Sequence, residues 1–383
     1  MSFDSYIRRV CTRSDTQYPR LQSAVEAAFS CFYGLGGGHD EYEKSAVLER
    51  LSTPEQFTVF TVAWTDDLNR VRTNRGYYAA SLPCVGGAGR LCFQSGLTAD
   101  RAQALFFYSL LEESLCGKES AGIFCGADCD CALLSDGESM RFCQSFLSAL
   151  YRCAPPVGAF VPLCPNISDR ELGYLAGQQR ALGAGAYSPN PMPRGAAAAI
   201  ATAVGSGVCY FAREALRRAF GDSLDGKTVA VYGSGAVAAR AWEEAACMGG
   251  HMPAMQSGGD TAADVYLLCA GGSPIDREAA ERMLSHRPDG ICEAVSMACT
   301  PEGAQTLTQS GVLFAPAIAA GSGISLLADP FHPLTWQTER ELRAAMNALC
   351  DRVWEKGEGN LFRGAHIAAV ENAAGALLRR GVL

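Results

Sequence analysis

From Phe57 to Trp64 the chain reads "FTVFTVAW", with apolar and polar residues roughly alternating. That period of two predicts a strand with one buried face. "DDLN" then supplies a turn, and "RVRTNRGYYAAS" reads as the returning partner strand. "GRLCFQSG" and the short apolar "AGIFCG" are two further strand candidates. The period changes to that of a helix in "GESMRFCQSFLSALYR", where Met140, Cys143, Leu147 and Leu150 fall on one face. A helix over 99–115 is predicted from its cap, Thr98, with Asp100 in the first turn. Another helix starts from Ser168 in "SDRELGYLAGQQRAL", and residues 20–52 read as helices interrupted at "GLGGGHD".

The stretch "GAGAYSPNPMPRGAAAA" marks a boundary, because glycine and proline punctuate it. Beyond it a helix is expected over about 205–220. Strands and helices then alternate: "TVAVYG", a helix at 236–248, "DVYLLCAG", a helix at 276–286 begun by Asp276, "ICEAVSM", a helix capped by Thr300, and "GVLFAPA". Such alternation predicts a parallel, doubly wound sheet. Two helices close the chain, the first expected from a capping box at Thr338–Glu341.

Composition narrows the function classes. Hydrophobic residues make up 48% and charged residues 19% of the 383. Such a chain folds around large cores rather than staying disordered. A net charge of −8 argues against nucleic acid as a partner. No apolar run has the length of a membrane span, and the N-terminus has no signal core, so a cytoplasmic protein is expected. The 17 cysteines show no disulfide-scaffold spacing and read as reduced. The lysines are only four, Lys44, Lys118, Lys227 and Lys356, which constrains any mechanism that needs several in one pocket.

One motif carries recognisable chemistry. Gly233, Ser234, Gly235, Ala236, Val237 and Ala238 form G-x-G-x-x-A after a strand and at a helix start. The glycines permit a tight turn and close approach of a pyrophosphate, and the helix N-terminus attracts its charge. NAD or NADP is the ligand such a turn is shaped for. An acid, or an arginine for NADP, should follow about 20 residues on to hold the ribose end. "HMPAMQSGGD" offers neither before Asp260, and Pro253 interrupts the strand ladder there.

"MRFCQSFLSALYR" and "GDSLDGKTVAVYGSGAVA" resemble the "MRFCQSFMTELYR" and "GDSLEGKTVAVSGSGNVA" of the hexameric glutamate dehydrogenases, a family with leucine, phenylalanine and valine dehydrogenase members. "WTDDLNRVRTNRGY", "RELGYLAGQ", "GVLFAPA" and "AHIAAVENAAGALLRRGV" follow the family in the same order. The resemblance implies an α/β chain of two domains. These are an N-terminal substrate-type domain over 1–190 and a Rossmann-type doubly wound domain over 191–336, with C-terminal helices over 337–383 returning to the first. It also implies NAD or NADP chemistry and an oligomer.

The family's active groups, carried over one at a time, are missing here. Its first substrate lysine, in "KGGLRF", falls on Ala88 of "AGRLCF". Its second, in "FKNSL", falls on Glu112 of "LEESL", a reversal of charge. The catalytic lysine falls on Phe124 and the catalytic aspartate on Cys164. The asparagine of "GKAANAGGV" falls on Gly321, and "RPEATGYG" becomes "IATAVGSG". Lys118, six residues before Phe124, is the one nearby lysine that a rearranged loop could recruit.

Other groups read as structural. Cys125, Cys129 and Cys131 in "CGADCDC" read as small buried residues rather than metal ligands. His39, His251, His286, His332 and His366 do not cluster in the sequence. The expectation is therefore a glutamate dehydrogenase-like pseudoenzyme without intact catalytic residues. It would have a structural or regulatory role, and would assemble with itself or with an active relative. The competing expectation is an active NAD(P)-dependent oxidoreductase with a pocket rebuilt for a less anionic substrate.

Overall fold

In the computed structural model, residues 2–12, 17–35, 40–81, 88–118, 122–163, 167–183, 195–253, 261–269, 274–327 and 335–381 are described. The chain begins with four helices: α1 (Phe3–Thr12), α2 (Pro19–Ser30), α3 (Asp40–Lys44) and α4 (Val47–Ser52). The first was not foreseen in the sequence. It buries Tyr6, Ile7 and Val10, an i, i+1, i+4 stripe.

Strands β1 (Gln56–Thr65) and β2 (Val71–Ala80) form the expected hairpin, with Thr65 opposite Val71 and Gln56 opposite Ala80. Asp66 sets that register. Its carboxylate accepts from the N–H groups of Leu68 (3.0 Å) and Arg70 (2.9 Å), and from Nε of Arg70 and of Arg72 (2.9 Å each). Then follow β3 (Ala88–Phe93), α5 (Ala99–Leu115), β4 (Ile123–Ala127), α6 (Asp136–Leu150), β5 (Ala159–Pro162) and α7 (Asp169–Ala181). The mixed sheet has the order β1-β2-β4-β3-β5, with β3 parallel to both its neighbours. β5 had not been anticipated, because four residues are too few to show a period.

The buried face of α6 is rotated from the expected one. Cys143, Leu147 and Leu150 are inside, but Met140 is 37% exposed. Phe142 and Phe146 take the central places, meeting Phe93 edge to face at 5.1 and 4.9 Å between ring centroids. Aromatic area outweighs a flexible methionine at the sheet surface.

α8 (Ala196–Phe220) starts nine residues earlier than the pattern indicated. The reason is a cap supplied from elsewhere in the sequence. Asp169, in the first turn of α7, accepts from the N–H groups of Gly195 (2.6 Å) and Ala197 (2.8 Å). Among the described helices, α8 alone is long and apolar enough to cross a membrane, and 78% of its apolar window is buried inside the protein.

The second sheet is wholly parallel, in the order β6 (Val229–Tyr232), β7 (Val265–Leu268), β8 (Gly290–Glu293), β9 (Leu313–Ala315). α9 (Ala236–Cys247), α10 (Arg277–Ser285) and α11 (Pro301–Gln309) connect its strands. Two short turns, α12 (Ala317–Ala320) and α13 (Gly323–Leu326), lead toward α14 (Trp336–Lys356) and α15 (Leu361–Arg380). The capping box of α14 lies at Thr335 and Thr338, not at Thr338–Glu341. Thr338 Oγ1 reaches back to the N–H of Thr335 (2.7 Å), so a second threonine fills the role expected of the glutamate one turn earlier. α15 packs back on α2, α4 and α5 beside the mixed sheet. Asn372 Nδ2 donates to the carbonyl of Ser114 (2.9 Å) across that contact.

Candidate functional site

The glycine turn keeps its shape. Gly233 has φ 122° and Gly235 has φ 85°, conformations that a side chain resists. Ala238 is fully buried where α9 meets the sheet. A Cβ on Gly205 of α8 would stand 2.7 Å from the Val237 carbonyl, so the helix behind the turn is held close. Gly235 caps α9 without a side chain, and no acid lies in the first turn. Ala236 and Gly235 are exposed, so the turn opens to solvent and a phosphate could approach it.

The far end of the expected nucleotide site is thinner. The chain after α9 returns to β6 for one bridge, Thr228 with His251, and Pro253 follows. Met252 and Pro253 bring no polar side chain to a ribose diol, and His251 is neither the acid nor the arginine expected there. Asp260 lies outside the described residues.

The wall of the expected substrate cleft falls on β3, β4 and α5. Ala88, at the start of β3, is exposed and offers nothing to an anion. Phe124 is fully buried on β4, beside Arg90 in the parallel register with β3. Glu112 on α5 is 6% exposed. Cys164 lies outside the described residues. Lys118 is exposed after α5, facing a small cleft with Arg50, Glu55 and Arg380, whereas Phe124 has no solvent exposure.

Two residues the sequence reading did not single out complete this wall. Arg90 Nη2 donates to Glu112 Oε1 at 2.6 Å, and Ser325 Oγ donates to the same oxygen at 2.6 Å. Arg90 also donates to Ser325 Oγ, and its Nε lies 3.5 Å from Glu113 Oε1. Arg90, Glu112, Glu113 and Ser325 are all buried. Burial works against the Arg90 charge, but Glu112 and Glu113 overcome it and hold its pKa above the usual value. A signal for Arg90 was present in "AGRLCF", where an arginine stands on the second glycine of "KGGLRF". Ser325 had none, because it comes from α13, more than 200 residues away.

The segment facing this wall has closed up. A Cβ on Gly321 would stand 2.4 Å from the Ala294 carbonyl, and one on Gly323 would stand 2.1 Å from that of Ala203. An asparagine side chain at 321 has no room. The thiols of Cys129 and Cys143 hydrogen-bond to Cys131, which pushes their own pKa values up and that of Cys131 down. Among the described residues no three His, Cys, Asp or Glu side chains are arranged to hold a metal.

A mixed sheet joined to a parallel sheet that carries a glycine turn defines a two-part α/β protein with a Rossmann-type half. A model of the Glutamate/Leucine/Phenylalanine/Valine dehydrogenase family matches residues 195–261 and 259–381. The NADP-specific glutamate dehydrogenase of Haemophilus influenzae is 27% identical, covering 100% of this chain and 99% of its own. The NAD-specific glutamate dehydrogenase of Clostridium symbiosum is also 27% identical, over 98% of this chain and 99% of its own. A solved glutamate dehydrogenase superposes with a TM-score of 0.87 at 26% identity, covering 99% of this chain and 100% of that one. The chain belongs to the Glu/Leu/Phe/Val dehydrogenase family, and within it is glutamate dehydrogenase-like.

Proposed function

We propose that this chain is a catalytically impaired glutamate dehydrogenase-like protein with a structural or regulatory role. The carrying observation is the Arg90–Glu112–Ser325 network. At the position where the resemblance puts a lysine for a substrate carboxylate, the chain holds a carboxylate of its own. Arg90 is neutralised by Glu112, and Glu113 adds a second buried acid beside it. A dianionic substrate entering here meets the Glu112 carboxylate in a low dielectric, with the Arg90 guanidinium already engaged by it. Phe124 cannot polarise a carbonyl or move a proton, and loss of one positioned acid or base commonly costs about 10²–10⁴ in rate.

On this reading the chain divides near residues 190 and 336, into a substrate-type part, a Rossmann-type part and C-terminal helices. The glycine turn supports weak contact with the pyrophosphate of NAD or NADP, with no acid or arginine to grip the ribose among the described residues directly after α9. Assembly with a second copy or an active relative is supported by one surface. Leu68 (69% exposed), Val71 (74%) and Leu133 (80%) gather around a shallow hollow beside the β1–β2 turn. Exposed apolar groups that cluster in this way favour burial against a partner.

The test is a direct assay with 2-oxoglutarate, ammonia and NADPH or NADH beside an active relative. We expect turnover lower by at least about 10⁴-fold and no calorimetric response below about millimolar nucleotide. Ordinary turnover would end this reading. A monomer at all concentrations, with no relative retained on mixing, would remove the assembly role.

A further inference from the structure

A second site lies away from the cleft. An open cavity of about 780 Å³ is lined by α1, α2, α5, the β8–α11 segment and α15. Its volume is that of a small-molecule pocket. None of Gly233, Gly235, Ala88, Glu112 or Phe124 lines it.

Its floor is made of hydrogen-bond acceptors. Glu293, 8% exposed, is aimed by two backbone donors: Cys299 N–H reaches Oε1 and Ala317 N–H reaches Oε2, each at 3.2 Å. Both oxygens retain further lone pairs. Among the described residues no basic side chain is paired with it, and burial pushes its carboxyl up to about 7. His366, 2% exposed, has Nδ1 2.8 Å from the Phe362 carbonyl. A carbonyl only accepts, so Nδ1 carries the proton and Nε2 remains an acceptor. Burial pushes the imidazole down to about 4, so it stays neutral. The walls are apolar and aromatic, with Tyr108, Phe362, Met297 and Ile318 among them. The rim cations are engaged: Arg20 with Asp100 at 3.9 Å, and Arg8 over the Tyr33 ring at 5.8 Å.

We propose that this cavity binds a small organic cation with a flat apolar body and N–H donors, an aryl amidine or an arylalkyl amine, whose head pairs with Glu293. A buried carboxylate without a cation is costly, and a ligand that supplies the cation removes that cost. An acceptor floor rejects an anion, because its lone pairs would face those of Glu293 and His366. Aromatic walls favour a cationic ring. The site is independent of whether the cleft is active.

The groups facing Glu293 are Tyr108 from α5, His366 from α15, and Cys292 and Cys299 on its own strand and the segment that follows. Burial raises the phenol and both thiols, and His366 is already neutral, so between pH 6 and 8 only Glu293 changes charge in this set. Binding of a cation therefore weakens as pH falls.

The experiment is calorimetry with benzamidine and, as control, benzoate, on the whole chain at pH 8. We expect benzamidine to bind at least about tenfold tighter than benzoate, and to weaken about tenfold from pH 8 to pH 6. Glu293→Gln should lose about tenfold or more in affinity. Ala27→Phe, which fills the cavity from α2 and keeps Glu293, should lose as much; it decides the matter if the glutamine variant does not fold. No heat with benzamidine at about 5 mM, equal binding of benzoate, or unchanged binding in the folded variants would each overturn the proposal.

Discussion

The glycine turn and the cleft wall face the same chemistry and have gone different ways. The turn keeps two glycines at positive φ and a fully buried Ala238 beneath them. The wall presents Ala88, Glu112 and Phe124, and Arg90 and Ser325 both bond to Glu112. The difference teaches that a turn can persist for structural reasons alone. It joins β6 to α9 and lets α8 approach at Gly205, so the fold needs it whether or not a nucleotide arrives. A cationic pocket has no such second use.

The sharpest way to break this contrast is to return the lysine. Phe124→Lys places an ammonium in a site with no exposure, which costs at least about 4 kcal/mol and yields no activity alone. Urea midpoints and the glutamate assay measure both. A stable, active variant would mean that the wall is still a working pocket.

Next in size is Glu112→Ala. It removes the 2.6 Å partner of the Arg90 guanidinium, leaving Glu113 at 3.5 Å, and should cost about 3 kcal/mol. If Glu112 stands in for a substrate carboxylate, acetate at about 0.1 M should restore part of the loss where chloride of equal strength does not. Equal melting in both salts would reduce the network to ordinary packing.

Glu293, at the end of β8, and His366, on α15, give opposite pH slopes. The raised pKa of Glu293 means that its contribution is complete below about 4.5 and is lost as pH rises through about 7. The lowered pKa of His366 means that its contribution is complete above about 6.5 and is lost as pH falls through about 4. Between these limits the two slopes oppose each other. Glu293→Gln should expose the histidine slope alone, so that stability rises by up to about 3 kcal/mol between pH 4 and 6.5. Denaturant titrations at stepped pH would show it, and an unchanged profile would dissociate Glu293 from this balance.

The smallest effect expected is that of Gly235→Ala. Its φ of 85° and ψ of −174° lie where essentially only glycine is found. The strain costs about 1–3 kcal/mol. Residual NAD(P)H binding should vanish, while the melting behaviour of the cleft variants stays the same. Intact nucleotide binding in this variant would separate the turn from any cofactor.

Much of the scaffold was legible in the chain because its signals are local. The 99–115 helix and its Thr98 cap, the Asp66 turn, and the Thr300 and Asp276 caps each lie within a few residues of what they control. What escaped was set at a distance. Asp169 begins α8 from 26 residues away, Phe93 turns α6 so that Met140 faces outward, and β5 is too short to carry a period. In the cleft, the acid at Glu112 was legible in the sequence, but its bonds to Arg90 and Ser325 were not.

The sequence by itself determined the alternation of strands and helices, the glycine turn, and which residue types stand at 88, 112 and 124. Those depend on side-chain type and spacing along one chain. Only the tertiary structure decided that Glu112 meets Arg90 and Ser325, and that Glu293 and His366 line one cavity. Ion pairs and buried acids take their energy from separation and burial in space, and segments apart in the sequence acquire those quantities only when the chain folds.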